Sequence, residues 1–235
     1  MHEIALSETV LARAKARRGK VNPFETIETA RTALLVVDMQ TVFCRPDMPA
    51  YGPVAEEIKP NVNRLAAAVR AAGGLVVWIQ MAATPESQRD WAVYFDSFCS
   101  PELRAGMIAG LTPGSEGHQI AEGLDVHPKD VRSQKTRFSA LIQGSSDLDA
   151  LLRARGVDTV VVCGTVTNVC CESTARDAMM LGYKTFFVTD ANAARSDEEH
   201  NATLNNLVNI FCDVRPTEEV CDLLRRCAPP LRKAG

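Results

Sequence analysis

The sequence predicts an α/β fold, in which helices cover both faces of a doubly wound, mostly parallel six-stranded sheet. Short apolar runs rich in β-branched residues alternate with segments of helical periodicity along most of the chain. The run at 32–37 is continuously apolar, which is typical of a central parallel strand covered on both faces. At 235 residues the chain is long enough for one such domain.

The first thirty residues are predicted to form an arm outside this domain. Leu6, Val10, Leu11 and Ala14 have helical spacing, and a basic run follows them before the first proline. We expect a short amphipathic helix that packs on its own domain or on a neighbouring subunit. Its apolar face is too narrow to favour membrane binding. A single domain is predicted over 31–235.

The remaining elements follow from apolar runs and their boundaries. Strands are predicted at 32–37, 75–79, 131–134, 160–163, 185–188 and 211–214. Helices are predicted at 58–72, 146–155, 170–181, 197–209 and 216–226, several of them closed by glycine. Residues 82–128 have little periodicity and many prolines and glycines, which favours a functional loop or lid.

Composition excludes several classes of protein. The net charge of −3 and the absence of a basic stripe argue against a nucleic-acid partner. No stretch approaches the roughly 20 apolar residues of a membrane span, and the acidic start lacks the apolar core of a signal peptide. We therefore expect a cytoplasmic protein with eight reduced cysteines. No Cys-x-x-Cys pair occurs and the four histidines are scattered, so neither a metal nor a cofactor is predicted.

Three reactive side chains lie at predicted strand ends. Asp38 follows the first strand, Lys135 follows the third, and Cys170 lies in the first turn of the helix after the fourth. The carboxyl ends of parallel strands share one edge, where open α/β sheets place their sites. The helix N-terminus favours a thiolate at Cys170. Alternatively, Asp38 caps a loop and Lys135 is a solvated surface residue.

The stretches around these residues are ALLVVDMQ (33–40), KTRFSAL (135–141) and GTVTNVCCESTARDA (164–178). Together they resemble the isochorismatase-like cysteine hydrolases. The resemblance implies that Cys170 attacks a carbonyl carbon, that Asp38 takes the thiol proton, and that Lys135 holds Asp38 ionised, leaving it a weak base by itself. It also implies an oxyanion hole made by the backbone N–H groups of Val166 and Cys170, with a cis peptide between Thr165 and Val166.

Differences between this sequence and the known subfamilies indicate which reaction is expected. True isochorismatases have glycine where this chain has Cys170, so the cysteine argues for acyl transfer. Nicotinamidases carry a D-x-H-type metal pattern in the second strand, whereas this chain has WIQMAATPES (78–87), without histidine. Gln80 resembles the glutamine of ureidoacrylate and N-carbamoyl amide hydrolases, and its amide suits a ureido or carboxamide head group.

The predicted substrate-binding residues are Gln80, Phe43, Trp91, Arg137 and Phe138. Arg137 either pairs with a substrate carboxylate or is a structural arginine, and the aromatic cluster at 91–98 is either a substrate-facing wall or core filling. Thr167 and Asn168 are expected to cap the helix, and Cys171 to be a packing residue.

The sequence thus predicts a hydrolase of non-peptide C–N bonds, a cysteine-dependent amidohydrolase. Its partner would be a small ureido, N-carbamoyl or carboxamide compound, and a homo-oligomer is expected. One alternative is a hydrolase of another small amide, such as a maleamate-like acid. Another is a non-catalytic or redox-sensing protein, in which Cys170 is oxidised.

Overall fold

The buried apolar runs pair into one parallel sheet in the computed structural model, which describes residues 1–229. The strand order is β3-β2-β1-β4-β5-β6, and every pairing is parallel. The strands are β1 (Thr32–Val37), β2 (Leu75–Met81), β3 (Val131–Lys135), β4 (Thr159–Thr165), β5 (Lys184–Ala193) and β6 (Asp213–Arg215). The predicted fold class is therefore confirmed.

The central strand β1 shows why both faces of the sheet are covered. All six of its residues are completely buried. Leu34 and Val36 face one apolar cluster, whereas Leu35 and Val37 face another on the opposite side. Burying a side chain of this size contributes about 1.5–3 kcal/mol to folding. A strand of this kind is stable only with helices on both sides.

Eleven α-helices are assigned within residues 1–229. They are α1 (Glu8–Arg18), α2 (Thr41–Cys44), α3 (Pro53–Glu57), α4 (Lys59–Ala71), α5 (Pro85–Asp90), α6 (Ala92–Ser97), α7 (Pro101–Leu111), α8 (Leu148–Ala154), α9 (Glu172–Met180), α10 (Asp197–Asn206) and α11 (Thr217–Cys227). Helices α4 and α11 pack on one face of the sheet. Helices α8, α9 and α10 pack on the other.

The segment predicted as a loop, 82–128, is partly helical because it contains α5, α6 and α7. Thr84 and Ser100 cap α5 and α7 through their side chains, and each is followed by a proline in the first turn. The prolines therefore start helices here and do not only break them. Phe95 and Leu111 from this segment pack with Val42 in a third apolar cluster beyond the strand ends.

Strand β5 is longer than predicted and runs to Ala193. Its register against β4 shifts between Val162 and Gly164. The Asn192 side chain bridges the irregularity by donating hydrogen bonds to the carbonyls of Val162 (3.1 Å) and Val188 (2.7 Å). Polar residues inside the strand therefore replace missing ladder bonds. The extension carries the chain to the sheet edge where the strands end.

The N-terminal arm packs on its own domain. Leu6, Val10 and Leu11 contact the apolar cluster on the α9 face. The Arg18 guanidinium donates a 2.8 Å hydrogen bond to the Val208 carbonyl. Of the two alternatives for the arm, the structure therefore shows packing against the chain itself.

Gly164 lies where β4 approaches β1 most closely. Its φ is +125°, and an added Cβ would lie 2.0 Å from the Val37 carbonyl oxygen. We expect Gly164→Ala to lower the free energy of unfolding by about 3 kcal/mol or more, because the strands must separate. The control is Gly156→Ala, since Gly156 also has positive φ but no atom within 4 Å of the added Cβ. It should cost about 1–2 kcal/mol.

Urea unfolding of the two glycine variants, followed by circular dichroism, measures this difference. Equal losses would show that backbone conformation, and not the close approach of β4 to β1, sets the requirement for glycine at position 164.

Candidate active site

Asp38 is held in a tight turn directly after β1. Its φ is +51°, a left-handed conformation that aspartate adopts more readily than most residues. The Asp38 N–H donates to the Ile79 carbonyl (2.9 Å), and the Gln40 N–H donates to the Asp38 carbonyl (2.7 Å). These bonds fix a completely buried carboxyl group beyond the strand end.

Lys135 is the last residue of β3 and contacts both other members of the predicted catalytic trio. Its side chain is completely buried, and Nζ lies 2.8 Å from Asp38 Oδ2. Nζ also lies 3.4 Å from Cys170 Sγ and donates a 3.0 Å hydrogen bond to the Arg137 carbonyl. One ammonium group therefore touches a carboxylate and a thiol at the same time.

Cys170 lies in a π-helical turn, Thr167–Cys171, which joins β4 to α9. Only 6% of its surface is exposed. The structure therefore brings Asp38, Lys135 and Cys170 together at the carboxyl edge of the sheet. Neither the loop-capping alternative for Asp38 nor the surface alternative for Lys135 agrees with this burial. The catalytic roles of the three residues stay predictions.

Burial controls the charge state of this trio. It raises the pKa of the Cys170 thiol to about 12, although the Lys135 charge opposes the shift. Burial therefore favours the protonated thiol, in the direction opposite to that expected from the helix N-terminus, and a thiolate at Cys170 stays a prediction.

Burial likewise raises the pKa of Asp38, against the lowering effect of Lys135. Burial therefore acts on the basicity of Asp38 in the direction opposite to Lys135, and the expectation that Lys135 leaves Asp38 a weak base stays a prediction. Burial alone would lower the pKa of Lys135, but the Asp38 charge raises it overall. The lysine is therefore a permanent cation at neutral pH.

The peptide bond between Thr165 and Val166 is cis, at the position implied by the resemblance. Val166 and Cys170 both line the cavity described next. Whether their N–H groups bind an oxyanion stays a prediction.

A cavity of about 230 Å³ opens onto Cys170. Its walls are mainly apolar and include Phe43, Met81, Met107 and Phe138, with Tyr94 beside them. Three further polar side chains reach it: Asn168, Arg195 and Glu199. The space suits a compact ligand that is mostly apolar and has a few polar groups.

Two of the five predicted substrate-binding residues, Phe43 and Phe138, line this cavity. Gln80 does not line the cavity, and its Nε2 donates a 2.7 Å hydrogen bond to the His118 carbonyl. The prediction that Gln80 meets the substrate head group therefore does not agree with its position.

Trp91 and Arg137 also lie outside the cavity. The Arg137 guanidinium donates to the carbonyls of Thr136 (2.9 Å) and Asp90 (3.3 Å) and lies 5.4 Å from the Trp91 ring. The Trp91 ring packs edge-on against Phe138 at 4.7 Å. The position of Arg137 therefore agrees with the alternative that it is a structural arginine. Trp91 packs against the cavity residue Phe138 from outside the cavity.

Sequence reasoning missed the polar residues of the cavity. Asn168 was expected to cap a helix with Thr167, but its buried Oδ1 has no hydrogen-bond partner among the described residues. Thr167 instead hydrogen-bonds His200 at 2.9 Å. Arg195 is exposed, and within residues 1–229 no carboxylate lies within 4.0 Å of its guanidinium. The sequence signal for Arg195 was its position just after β5, but that strand was predicted to end too early.

In the part of the chain that the structure describes, no group of three or more His, Cys, Asp or Glu side chains is arranged to hold a metal ion. No helix among residues 1–229 has the length and apolar character needed to cross a membrane.

The model of the isochorismatase domain matches residues 32–219 of this sequence. The chain belongs to the isochorismatase family. An uncharacterised isochorismatase family protein of Bacillus subtilis, YwoC, is 31% identical over 199 residues, which are 85% of this chain and 97% of that protein. The arm that precedes β1 lies outside the residues matched to the family domain.

Solved structures of isochorismatase-family proteins have the same fold. A cysteine hydrolase from Pseudomonas syringae pv. phaseolicola aligns with a TM-score of 0.73 at 31% identity, covering 86% of this chain and 95% of its own. An N-carbamoylsarcosine amidase from Thermoplasma acidophilum aligns with a TM-score of 0.64 at 26% identity, covering 80% of this chain and 97% of its own. Structural neighbours of this chain therefore include hydrolases, among them an amidase.

Proposed function

We propose that this protein is a cysteine-dependent amidohydrolase that cleaves a C–N bond of a small ureido, N-carbamoyl or carboxamide compound. The observation that carries the proposal is the direct contact of Lys135 with both Asp38 and Cys170 beside a small cavity. A base, a cation and a nucleophile in contact are the groups that acyl transfer needs. The similarity to an N-carbamoylsarcosine amidase supports the choice of a C–N bond.

The first half of the reaction forms a thioester. Asp38 takes the proton of the Cys170 thiol as Sγ bonds to the carbonyl carbon of the substrate. The resulting oxyanion would be stabilised by the backbone N–H groups of Val166 and Cys170. When the C–N bond breaks, the proton held by Asp38 passes to the leaving nitrogen, and ammonia or an amine departs.

The second half releases the acyl or carbamoyl group. The Asp38 carboxylate, ionised again, takes a proton from a water molecule, and the resulting hydroxide attacks the thioester carbon. The C–S bond breaks, and Sγ recovers the proton from Asp38. Lys135 stays protonated throughout and stabilises negative charge on its two neighbours. The raised pKa of Asp38 suits a group that must both take and return a proton.

The cavity favours substrates that carry an anionic group away from the scissile bond. Arg195 brings a guanidinium without a carboxylate salt-bridge partner among the described residues. The unpaired buried Oδ1 of Asn168 is an acceptor and would bind a donor such as a substrate N–H. A carboxylate on the substrate would pair with Arg195. N-carbamoyl amino acids and ureido acids have this chemistry. Maleamate-like acids also have it, and the same observation makes them the second candidate substrate.

The redox-sensing alternative has less support. Oxidants attack a thiolate, and burial raises the pKa of the Cys170 thiol, which disfavours that form in the resting protein. A sensor also has no use for a buried base in contact with a cation. The cytoplasmic location and the homo-oligomeric assembly stay predictions.

Ammonia release from a panel of amides tests the proposed function. The panel contains ureido acids, N-carbamoyl amino acids, maleamate-like acids and simple neutral carboxamides. We expect turnover in at least one anionic class. No release from any of these compounds, with Cys170 still open to a small alkylating reagent, would contradict the proposal.

Arg195→Ala tests the binding of an anionic group. We expect the KM of an anionic amide to rise about tenfold or more, because a charge-assisted bond is lost, while the KM of a neutral amide stays within about twofold. Arg137→Ala is the matched control, since this arginine lies outside the cavity. Steady-state kinetics on both substrates measure the effect. An equal loss on neutral and anionic amides would show that Arg195 acts through the shape of the cavity and not through charge.

A further inference from the structure

The N-terminal arm reaches the rim of the cavity through one side chain, His2. Its ring is 3% exposed, and Nε2 accepts a 2.9 Å hydrogen bond from the Ala194 N–H. Because Nε2 must accept, the proton of the neutral ring lies on Nδ1, which is 2.7 Å from Asp197 Oδ1. His2 therefore binds the backbone just before Arg195 and the side chain of Asp197 just after it.

The His2 ring also stacks on His200, with a centroid distance of 4.3 Å and an interplanar angle of 19°. His200 is completely buried, and its Nε2 donates to the Thr189 carbonyl at 2.9 Å. Its Nδ1 is consequently the acceptor for the Thr167 hydroxyl, also at 2.9 Å. Thr167 begins the turn that carries Cys170. The stacked pair thus joins the rim of the cavity to the turn of the nucleophile.

The arm is anchored along α10 by other contacts that do not touch the cavity. The Asn201 side chain accepts from the Ala5 N–H and donates to the Glu3 carbonyl, both at 2.8 Å. The Asn205 side chain accepts from the Ser7 N–H at 2.8 Å. Packing of α1 adds apolar burial. His2 is therefore not needed merely to attach the arm, and its two polar contacts converge on the residues that flank Arg195.

We propose that His2 is a positioning residue that holds Arg195 toward the cavity and so sets the preference for anionic ligands. The proposal rests on the role of Arg195 under the proposed function. The bond to the Ala194 N–H fixes the backbone one residue before Arg195, and the second contact reaches the side-chain carboxylate of Asp197, two residues after it. The arm lies outside the residues matched to the family domain, so this device is an addition to that domain.

A pair of alkylating reagents tests the proposal without knowledge of the natural substrate. Iodoacetate and iodoacetamide differ in charge but little in size. With either reagent, Cys170 Sγ bonds to the methylene carbon, iodide leaves, and the thiol proton passes to Asp38 or solvent. The ratio of the two rates, measured on the Cys170 peptide by mass spectrometry, reports the attraction of an anion to the cavity.

The expected rate ratios distinguish a His2 that positions Arg195 from a His2 that only attaches the arm to the domain. Arg195→Ala should lower the iodoacetate-to-iodoacetamide ratio most. His2→Phe keeps a stacked ring but loses both polar contacts, and should lower the ratio about three- to tenfold. His2→Gln, whose Oε1 can replace Nε2 as acceptor, should recover at least half of that loss. Asn205→Ala weakens the arm at a distance and should stay within twofold of the parent protein.

Two results would overturn the proposal. One is an iodoacetate-to-iodoacetamide rate ratio in His2→Phe that equals the ratio of the parent protein. The other is an equal fall in His2→Phe and Asn205→Ala, since that would make His2 only one more anchor. If His2→Phe folds poorly by thermal melting, His2→Asn is compared with His2→Gln, because asparagine can donate to Asp197 but cannot reach the Ala194 N–H. Equal ratios in that pair would also overturn it. Failure of the amide panel leaves these rate ratios measurable, so the two proposals fail separately.

Discussion

Replacing Cys170 by alanine is expected to lower the kcat/KM of the hydrolysed amide by more than about 10⁴-fold. Cys170 is the nucleophile of the proposed mechanism, so its removal should leave only cavity binding and electrostatics. Ammonia release by the variant and the parent protein measures the loss. Acid quenching of the parent protein during turnover should also trap an acyl or carbamoyl adduct on the Cys170 peptide, visible by mass spectrometry.

Asp38→Asn should cause a loss of similar size. Because burial raises the pKa of the Cys170 thiol and so favours its protonated form, attack on a carbonyl carbon depends on a base that takes the proton. Because Asp38 and Cys170 act in one step, the double variant should be little worse than either single variant. The parent protein should lose kcat/KM as the pH falls through the pKa of Asp38, which burial raises above its ordinary value.

The matched control for Cys170 is its neighbour. Cys171 is completely buried in the packing of α9 against the sheet, so Cys171→Ala should keep kcat/KM within about tenfold. Activity in Cys170→Ala above 1% of the parent value, or an adduct found on Cys171, would contradict the assignment of the nucleophile.

The sequence was sufficient for the elements whose signals are local. The apolar run of β1 predicts a central strand because burial on both faces demands it, and the residue after such a strand must lie at the sheet edge. The same argument places Lys135 and Cys170. The trio could be predicted because three short local patterns, combined with one topological rule, determine where three side chains lie.

Other features depend on contacts that no local pattern contains. The polar residues of β5 suggested an early end, but Asn192 bonds to two carbonyls across a shifted register and continues the strand. Arg195 was missed for this reason. Gln80 has suitable chemistry for a head group, yet its amide is taken by the His118 carbonyl. Long-range packing also raises the pKa of Cys170, because the thiol is buried by residues distant in the sequence.

Lys135→Met is expected to lower the free energy of unfolding by about 3–5 kcal/mol at pH 7, in addition to its effect on catalysis. Asp38 and Lys135 are both completely buried, with Oδ2 and Nζ 2.8 Å apart. Removing the cation leaves a buried carboxyl group without its counter-charge. Lys59→Met is the control, since Lys59 is also largely buried but pairs with a half-exposed carboxylate, Glu56. That pair should be worth about 1 kcal/mol or less.

The stability deficit of Lys135→Met should grow as the pH rises above the pKa of Asp38 in the folded parent protein, which burial raises above its ordinary value. The Lys135 charge lowers the pKa of Asp38 in the parent protein, so its loss raises that pKa further. Both proteins lose stability above about pH 4, where the unfolded chain releases the Asp38 proton, but the parent stops losing it at its own Asp38 pKa while the variant continues to lose it. At about pH 4 and below, both folded proteins hold the proton, and the deficit is smallest. Urea unfolding at pH 4 and pH 7 measures the difference.

The double variant Asp38→Asn with Lys135→Met separates stability from catalysis. It replaces both charges by neutral groups of similar size, so most of the stability lost in Lys135→Met should return. Ammonia release should not return, because neither the base nor the cation is present. A double variant as unstable as Lys135→Met, or a deficit independent of pH, would show that the cost does not come from an unpaired Asp38. If the double variant regains stability but still releases no ammonia, the loss of activity comes from the missing charges of the trio and not from misfolding.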